Sequence, residues 1–486
     1  MKTVFTIILC LFFLLPKSQD LKVNSGTSLF VKDDVDLYAD INLLNEGTVE
    51  FEVNLTGNNP DSGSLFVDAG LDNSIGTLNM NNSILFLGSD QTRAGGSHDL
   101  IFNNSNDEVK FVELGKLGGT YNVSPSLGGL LNITKTFTSN SGTLEANDKI
   151  VLKSNSIQET AIVPESSPTS TVNNIRVERI IPGARSFRFL ASPVTTGGTI
   201  KPDIFSNWQE SGKITSDPNF ENGVGTHITG TNNPNNGVPP QTPPNTNGFD
   251  VNETGNPSMY IFDNVSQTYA PFIDGSSNPN LQSTINRSLV VGEPYYILVR
   301  GDRSINLSIN DPNDDSTTTL RTTGSLAFGN QTVVNNVTPG GEGFLLIANP
   351  YQAPVDLQNV LSSVLNLNSS RSWVWEPKAD SVPNRGQFAF LDFSGINGSI
   401  LNPTNVPGSN VNRIIQPGQS VFVKTDTPVS PGPITIEFEE TDKVGLGDLV
   451  DVFSNGSNQA PDDWLRLGLY PSTSTPFTDV AKDGII

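Results

Sequence analysis

The chain has 486 residues and a formal net charge of −22, with 50 Asp and Glu against 28 Lys and Arg, so it is unsuited to bind nucleic acid through a basic surface. One cysteine and two histidines exclude a disulfide framework, a cysteine zinc site and a histidine-rich metal site. With 44 Gly, 33 Pro and only 16% charged residues, the composition favours strands and turns over helices.

The first nineteen residues are typical of a secretory signal peptide. Lys2 supplies a positive charge, residues 4–15 form an apolar run, and Pro16 ends it. A membrane anchor is the alternative, but a spanning helix needs about 20 apolar residues. Cys10 lies inside the run, so removing residues 1–19 leaves no cysteine and changes the net charge to −24, because two lysines and no acid are lost. We therefore expect a secreted protein, located at the outer cell surface, with no transmembrane segment after signal removal.

Residues 20–160 are predicted to form a β-solenoid. Short apolar segments are separated by Gly, Asn, Ser and Asp, which favour tight turns. Strands recurring about every twenty residues suit a solenoid, in which each coil buries its apolar face on the next. A β-sandwich, with strands about every 8–12 residues, is the alternative. Gly-Thr-X openings recur at spacings of 21, 29, 43 and 23 residues, beginning at Gly26, Gly47, Gly76, Gly119 and Gly142.

Residues 172–430 are predicted to form a β-sandwich domain, joined to the solenoid by a linker at 154–172 that is poor in apolar residues. One short helix is predicted over residues 357–365 from its apolar spacing, with Asp356 as N-cap. The Pro- and Asn-rich residues 217–248 predict a long loop. The predicted strands cover residues 172–181, 186–191, 258–262, 294–300, 304–309, 343–348, 372–375 and 387–391.

Residues 431–486 are interpreted as the start of a further β domain, because Ile434, Ile436 and Phe438 alternate as in a β-strand. The chain reaches Ile486 without a closing element, so we expect this domain to be truncated. The predicted fold class is therefore all-β: an N-terminal right-handed β-solenoid, a β-sandwich with one short helix, and an incomplete C-terminal β domain.

A series of short motifs follows in order along residues 175–425. They include Val177-Glu178-Arg179, Ile181-Pro182-Gly183, Asn207-Trp208-Gln209-Glu210, Gly225-Thr226-His227, Ala348-Asn349-Pro350-Tyr351 and Gln416-Pro417-Gly418-Gln419. Together they resemble a family of large surface proteins secreted by Bacteroidetes bacteria. The resemblance implies a secreted, adhesin-like protein with a β-helix stalk and a β-sandwich. Members usually end in a sorting domain read by the type IX secretion system, which is not found before Ile486, and no catalytic residue can be transferred.

Trp373 and Trp375 are the candidate ligand-binding residues. They alternate with Val374, so both indoles face one side of a strand. An exposed pair would form a platform for stacking sugar rings or other planar apolar faces. Burial in the sandwich core is the interpretation that we favour, because large aromatic residues dominate core burial.

The candidate metal ligands are four oxygen-bearing side chains in one short stretch, and calcium is the cofactor that they suit. The spacing and distal Glu of an EF-hand are missing, so a solvated acidic turn is favoured. These residues are Asp311, Asn313, Asp314 and Asp315.

Arg300-Gly301-Asp302 matches a tripeptide that some host receptors recognise. Its position between two predicted strands favours a hairpin turn instead.

No catalytic constellation emerges from the sequence. His98 and His227 lie in polar, loop-like stretches, no Gly-x-Ser-x-Gly elbow is present, and a structural role is preferred for His227. A carboxylate pair such as Glu376 with Asp380 or Glu178 leaves no linear signature. We therefore expect a non-catalytic, structural or adhesin-like surface protein whose partner is a surface glycan or another cell-surface component. A carbohydrate-binding or polysaccharide-degrading protein is the alternative.

Overall fold

The computed structural model describes residues 20–453, apart from 33–34, 40–41, 53–59, 61–62, 89–96, 116–118, 184, 232–246, 253, 308–315, 336–342, 363, 378–385, 394–409 and 426–432. The predicted signal peptide therefore lies outside the described residues. The chain divides into two compact units. The first contains residues 1–153 and 160–177, and the second contains residues 154–159 and 178–486.

The first unit is a β-solenoid of short parallel strands, as predicted. Its strands are β1 (Leu21–Val23), β2 (Ser28–Val31), β3 (Leu37–Ala39), β4 (Leu43–Asn45), β5 (Thr48–Phe51), β6 (Ser64–Val67), β7 (Leu71–Asp72), β8 (Thr77–Asn79), β9 (Ile84–Leu87), β10 (Ser97–Ile101), β11 (Asp107–Leu114), β12 (Thr120–Val123), β13 (Leu131–Ser139), β14 (Thr143–Glu145), β15 (Ile150–Leu152), β16 (Thr171–Asn173) and β17 (Ile175–Ile181), the last of which continues into the second unit.

Successive coils add one strand at a time to each face of the solenoid. One sheet has the order β1-β4-β7-β10-β12-β14-β16, a second is β2-β5-β8, and a third runs β3-β6-β9-β11-β13-β15-β17. Leu21 pairs with Leu43, 22 positions further on, whereas Leu43 pairs with Leu71, 28 positions further on. Because the coil length varies, the sequence shows no strict period.

Buried leucines form columns along the interior of the solenoid. Leu43, Leu71 and Leu100 are aligned on consecutive coils and are almost completely buried. Burial of one such side chain contributes roughly 1.5–3 kcal/mol. No coil can bury its apolar face alone, so the coils stabilise one another.

The Gly-Thr openings mark points where one coil rests directly on the preceding coil. The amide of Thr48 donates to the carbonyl of Thr27, and the amide of Thr77 donates to that of Gly47. A Cβ atom on Gly47 would lie 2.4 Å from the carbonyl oxygen of Thr27, and one on Gly76 would lie 2.3 Å from that of Asn45. Only glycine fits at these contacts.

A buried polar ladder crosses three coils of the solenoid. The Asn45 side-chain amide donates to the side-chain oxygen of Asn73 at 2.7 Å, and that of Asn73 donates to both carboxylate oxygens of Asp107 at 2.9 and 2.8 Å. Burial raises the pKa of Asp107, although the bonds from Asn103 and Asn73 act in the opposite direction. The ladder satisfies polar groups that the coils would otherwise bury without partners.

The prediction of a linker at 154–172 is wrong for most of these residues. Residues 161–163 are fully buried, and Ile162 forms a parallel bridge with Thr136. The amide of Ser167 donates to the carbonyl of Ser139. The segment is a coil of the solenoid. Its low apolar content suggests a linker, but a few buried apolar residues are enough to stabilise a coil whose backbone groups bond to the neighbouring coil.

The second unit is sandwich-like and mainly antiparallel. Its strands are β18 (Ser186–Ala191), β19 (Val194–Thr195), β20 (Thr229–Thr231), β21 (Asp250–Val251), β22 (Met259–Asp263), β23 (Thr268–Pro271), β24 (Pro294–Val299), β25 (Thr318–Leu326), β26 (Gln331–Asn335), β27 (Phe344–Ala348), β28 (Val355–Asp356), β29 (Leu367–Glu376), β30 (Gln387–Asp392), β31 (Ile414–Ile415), β32 (Ser420–Thr425) and β33 (Ile434–Phe438).

Two four-stranded antiparallel sheets dominate this unit. Their orders are β18-β24-β22-β23 and β27-β32-β29-β30, and smaller pairings join β19 to β25, β20 to β21, β26 to β33 and β28 to β31. One face of each large sheet contributes to a common apolar core, which includes Tyr295, Ile297, Leu345, Ile347, Val374, Leu391, Val421, Val423, Ile436 and Phe438.

The predicted helix is present but shorter than expected. Helix α1 covers Leu357–Leu361, and the Asp356 carboxylate accepts a hydrogen bond from the amide of Gln358, which confirms the N-cap. Leu365 is 81% exposed, so the apolar spacing continues beyond the end of the helix. Among the described residues, no helix has the length and apolar character needed to cross a bilayer.

Strand β33 belongs to the second unit. It pairs antiparallel with β26, and Ile434, Ile436 and Phe438 lie in the common core together with Phe453. The boundary predicted at 431 therefore does not separate the described residues 433–453 from the strands before them. Residues 454–486 lie outside the described residues.

Candidate ligand-binding face

The sheet β27-β32-β29-β30 carries aromatic residues on the face turned away from the common core. An antiparallel sheet with one face on a core ordinarily presents polar residues on the other. Here Leu346, Phe422, Trp373 and Phe390 are aligned partners across all four strands. We call the three aromatic residues of this set, together with Phe344 two positions before Leu346 on the same face of β27, the aromatic row.

Half of this face is covered by the other large sheet. The ring of Phe189 on β18 lies 5.9 Å from that of Trp375, 5.7 Å from Phe388 and 5.5 Å from Phe422. The indole nitrogen of Trp375 donates to the carbonyl of Phe187 at 2.9 Å. Trp375 is therefore held in place, and its polar group is satisfied within the protein.

Among the described residues, no ring of the other large sheet contacts the rings on the other half of this face. Trp373 packs edge-to-face on Phe344, with ring centroids 5.1 Å apart, and lies 5.5 Å from Phe390. Phe344 is 37% exposed, and Trp373 and Phe390 are half-buried. These three rings, which we call the open half, are supported by neighbours but reach the solvent.

Charged residues also lie on this face. Arg371 is paired with Asp392 two positions from Trp373 and Phe390, and Lys424 is paired with Phe344, but the register of β29 on β32 shifts between Leu367 and Ser372. The Arg371 guanidinium lies over the Phe390 ring at 5.7 Å, and its Nε atom is 3.9 Å from a carboxylate oxygen of Asp392. Rings and charged groups thus lie side by side on one surface.

The edge strand under this face is fixed by a turn of the other sheet. Gln267 accepts a hydrogen bond from the amide of Phe344 at 2.8 Å and donates to its carbonyl at 2.9 Å. Asn264 accepts from the amide of Leu346 at 3.1 Å. These side chains act as a partner strand would, so the face is preorganised rather than frayed.

The two tryptophans therefore have different environments, although both face one side of β29 as predicted. Trp375 packs in the covered half, and Trp373 lies in the open half, although both side chains are half-buried. Because the covering sheet is distant in sequence, the alternation of the two residues did not distinguish them.

A buried polar centre lies elsewhere in the second unit. Asp250 forms a two-pronged ion pair with Arg303 at 2.9 Å for each contact, and it accepts a hydrogen bond from Gln209 at 3.1 Å. The Nδ1 atom of His227 is 3.3 Å from Asp250, and His227 is completely buried.

Burial governs the protonation of this centre. Burial acts to raise the pKa of Asp250, but the charge and hydrogen bonds of the Arg303 guanidinium outweigh it and hold the pKa well below its usual range. Burial lowers the pKa of His227, an effect that Asp250 opposes and Arg303 reinforces. The centre is sealed from substrate, and it fixes the chain on either side of residues 232–246. Residues 224–231 and 248–251 are therefore ordered and buried, whereas residues 217–222, where the predicted long loop begins, are mostly exposed.

The remaining candidates are separated in space or lie outside the described residues. The possible calcium ligands Asp311, Asn313, Asp314 and Asp315, and also Asp380, are outside them. Glu178 and Glu376 are buried. His98 lies on strand β10 rather than in a loop, with its ring 5.2 Å from that of Tyr121. Within the described ranges, no cluster of three or more His, Cys, Asp or Glu side chains is arranged to hold a metal ion.

The Arg300-Gly301-Asp302 tripeptide forms a buried turn. Arg300 is 6% exposed and Asp302 is 2% exposed. The Asp302 carboxylate accepts hydrogen bonds from the amides of Gly223 and Ser304. Residues 304–307 do not form the second strand of a hairpin. These side chains are not presented to a receptor.

Comparison with known proteins does not assign this chain to a family. No family model, curated protein or solved structure matches the chain. The class that the described residues define is a β-solenoid protein with a sandwich-like second unit and a half-open aromatic face.

Proposed function

We propose that this chain is a secreted, non-catalytic, adhesin-like protein of the bacterial cell surface. The solenoid serves as a structural element, and the open half of the aromatic row is the binding face. The observation that carries the proposal is this row of partly exposed rings on a sheet face that is ordinarily polar. The apolar start of the chain, and the motifs that resemble secreted Bacteroidetes surface proteins, support the same location.

Carbohydrate binding is the ligand chemistry that best fits this face. Rigid aromatic rings stack on the apolar faces of sugars, and adjacent polar groups bond to hydroxyls. Degradation of the polysaccharide is less well supported, because the described members of the proposed carboxylate pair, Glu178 and Glu376, are buried.

An adhesion assay tests the proposal. Beads coated with the purified protein should attach to surfaces carrying immobilised polysaccharide, and the Trp373→Ala variant should attach poorly. The soluble protein should release no new reducing ends from the same polysaccharides. Attachment that is unchanged by Trp373→Ala would remove the aromatic row from the account, and sustained release of reducing ends would identify an enzyme.

A further inference from the structure

We infer that the open half of the aromatic row binds single, non-crystalline glycan chains and does not bind the flat surface of a crystalline polysaccharide. This inference rests on the proposed function and specifies the physical form of the ligand of the same face. Three features of the face lead to it: the exposed area of its rings, the angles between them and the contacts that fix those angles.

The exposed area of the rings suits a ligand of a few sugar units. An aromatic side chain buries about 150–250 Å² in total. Phe344 is 37% exposed, and Trp373 and Phe390 are partly exposed. The three rings therefore offer on the order of 200 Å², whereas each partner in a stable protein complex contributes about 800 Å². A short stretch of a glycan chain fits this area better than a folded protein does.

The three rings do not share a plane. The planes of Trp373 and Phe344 are inclined to each other by 83°, and those of Trp373 and Phe390 by 49°. The twist of the sheet contributes to these angles, because adjacent strands are rotated relative to one another by roughly 20–25°. A flat crystal face stacks on several rings at once only where those rings are coplanar. A planar surface can therefore lie flat on one ring of the open half at most, whereas a single chain can turn its sugar units toward rings of different inclination.

Contacts within the face hold the rings at these angles. Trp373 packs edge-to-face on Phe344 and also contacts Phe390, and such pairs contribute to stability beyond the area that they bury. The backbone of Phe344 is fixed in turn, because Gln267 bonds to both its amide and its carbonyl. Turning the rings into one plane would break the edge-to-face contact. The ligand must therefore adapt to the face, which a flexible chain can do and a crystal face cannot.

Matched forms of the same polymer test the inference. Cellulose, chitin, mannan and xylan are each presented to the full chain in a crystalline form and in a swollen or dissolved form that carries the same sugars without crystalline order. Dissociation constants are compared rather than the amounts bound, because swelling also increases the accessible surface. We expect at least one of the non-crystalline polymers to bind, and to bind at least about tenfold more tightly than its crystalline form.

Variants show whether the open half is responsible. Trp373→Ala should abolish binding to the non-crystalline polymer, and Trp373→Phe should retain part of it because a ring remains. Tyr38→Ala removes a 51% exposed ring from strand β3 of the first unit and should change nothing. Thermal unfolding verifies that each variant is folded.

The outcomes distinguish this inference from the proposed function. Binding to a crystalline form as tight as to its swollen or dissolved form would overturn the inference and leave a glycan-binding adhesin. Binding of none of the four polymers would overturn the inference, while the bead assay would still test adhesion to other polysaccharides. Binding to a non-crystalline polymer that survives Trp373→Ala would also overturn it, because the open half would not be the site.

Discussion

Replacing Asp250 by Asn tests the buried polar centre of the second unit. Both carboxylate oxygens of Asp250 accept bonds from Arg303, and one also accepts from Gln209 and from the amide of Ile228. Asn has one oxygen and one NH2 group, so in either orientation its NH2 group faces a donor of Arg303. Asp250 is 2% exposed and Arg303 is 1% exposed. Removing one partner of such a pair leaves an uncompensated buried charge, and we expect a loss of about 3–5 kcal/mol.

Urea denaturation followed by tryptophan fluorescence measures this loss. Trp208, Trp373 and Trp375, the tryptophans of the described residues, lie in the second unit, so tryptophan emission reports on its unfolding. Asp392→Asn is the matched control, because its pair with the 51% exposed Arg371 should contribute less than about 1 kcal/mol. Adding Arg303→Met to Asp250→Asn should recover part of the stability by removing the buried charge. A loss for Asp250→Asn as small as that of the control would refute the reasoning.

Three further predictions concern protonation and the solenoid. Because burial lowers the pKa of His227 in the folded state, the unfolded chain binds this proton more readily below the ordinary pKa of 6.5, so the stability of the second unit should fall as the pH falls, and His227→Gln should flatten this dependence in urea titrations between about pH 6.5 and 4.5; an equally steep dependence in the variant would contradict it. Asn73→Ala should cost about 1–3 kcal/mol, measured by thermal circular dichroism, since it deprives buried Asn45 and Asp107 of their partner; an unchanged melting temperature would show that the ladder is dispensable. Gly76→Ala should lower the free energy of unfolding by about 1–3 kcal/mol or more, because the added methyl overlaps the preceding coil. Gly445→Ala, whose added methyl has no neighbour within 4 Å, should be close to neutral. Equal melting temperatures for the two variants would argue against the close contact.

Local patterns predicted much of the fold. Strand β18 has the predicted bounds, because alternation and flanking turn residues are both local signals. The Gly-Thr openings at Gly47, Gly76, Gly119 and Gly142 directly precede strands β5, β8, β12 and β14. At Gly47 and Gly76 the reason is steric, because close stacking of the coils leaves no room for a Cβ atom.

Features that depend on distant residues were not predictable in the same way. The coil at 160–171 looks like a linker in the sequence, because only a few apolar residues are buried there and backbone bonds to Lys135 and Ser139 hold the rest in place. The pairing of Asp250 with Arg303 joins residues far apart in sequence and has no linear signature. The helix ends at Leu361 although its apolar spacing continues to Leu365.

The candidate face was predictable only in part. Alternation placed Trp373 and Trp375 on one side of a strand, and this holds. The choice between core and platform required knowledge of what covers that side of the strand. Trp375 contacts Phe189 of another sheet. Among the described residues, Trp373 contacts no ring of that sheet. The charged residues of this face became visible only when the register placed Arg371, Asp392 and Lys424 beside the rings.

Hydroxyl-radical footprinting with and without a bound polysaccharide tests the central claim most directly. Oxidation of Trp373 and Phe390 should fall in the complex, while that of Tyr38 on the first unit should not change. Protection of Tyr38 with no change at Trp373 and Phe390 would contradict the assignment of the open half as the binding face.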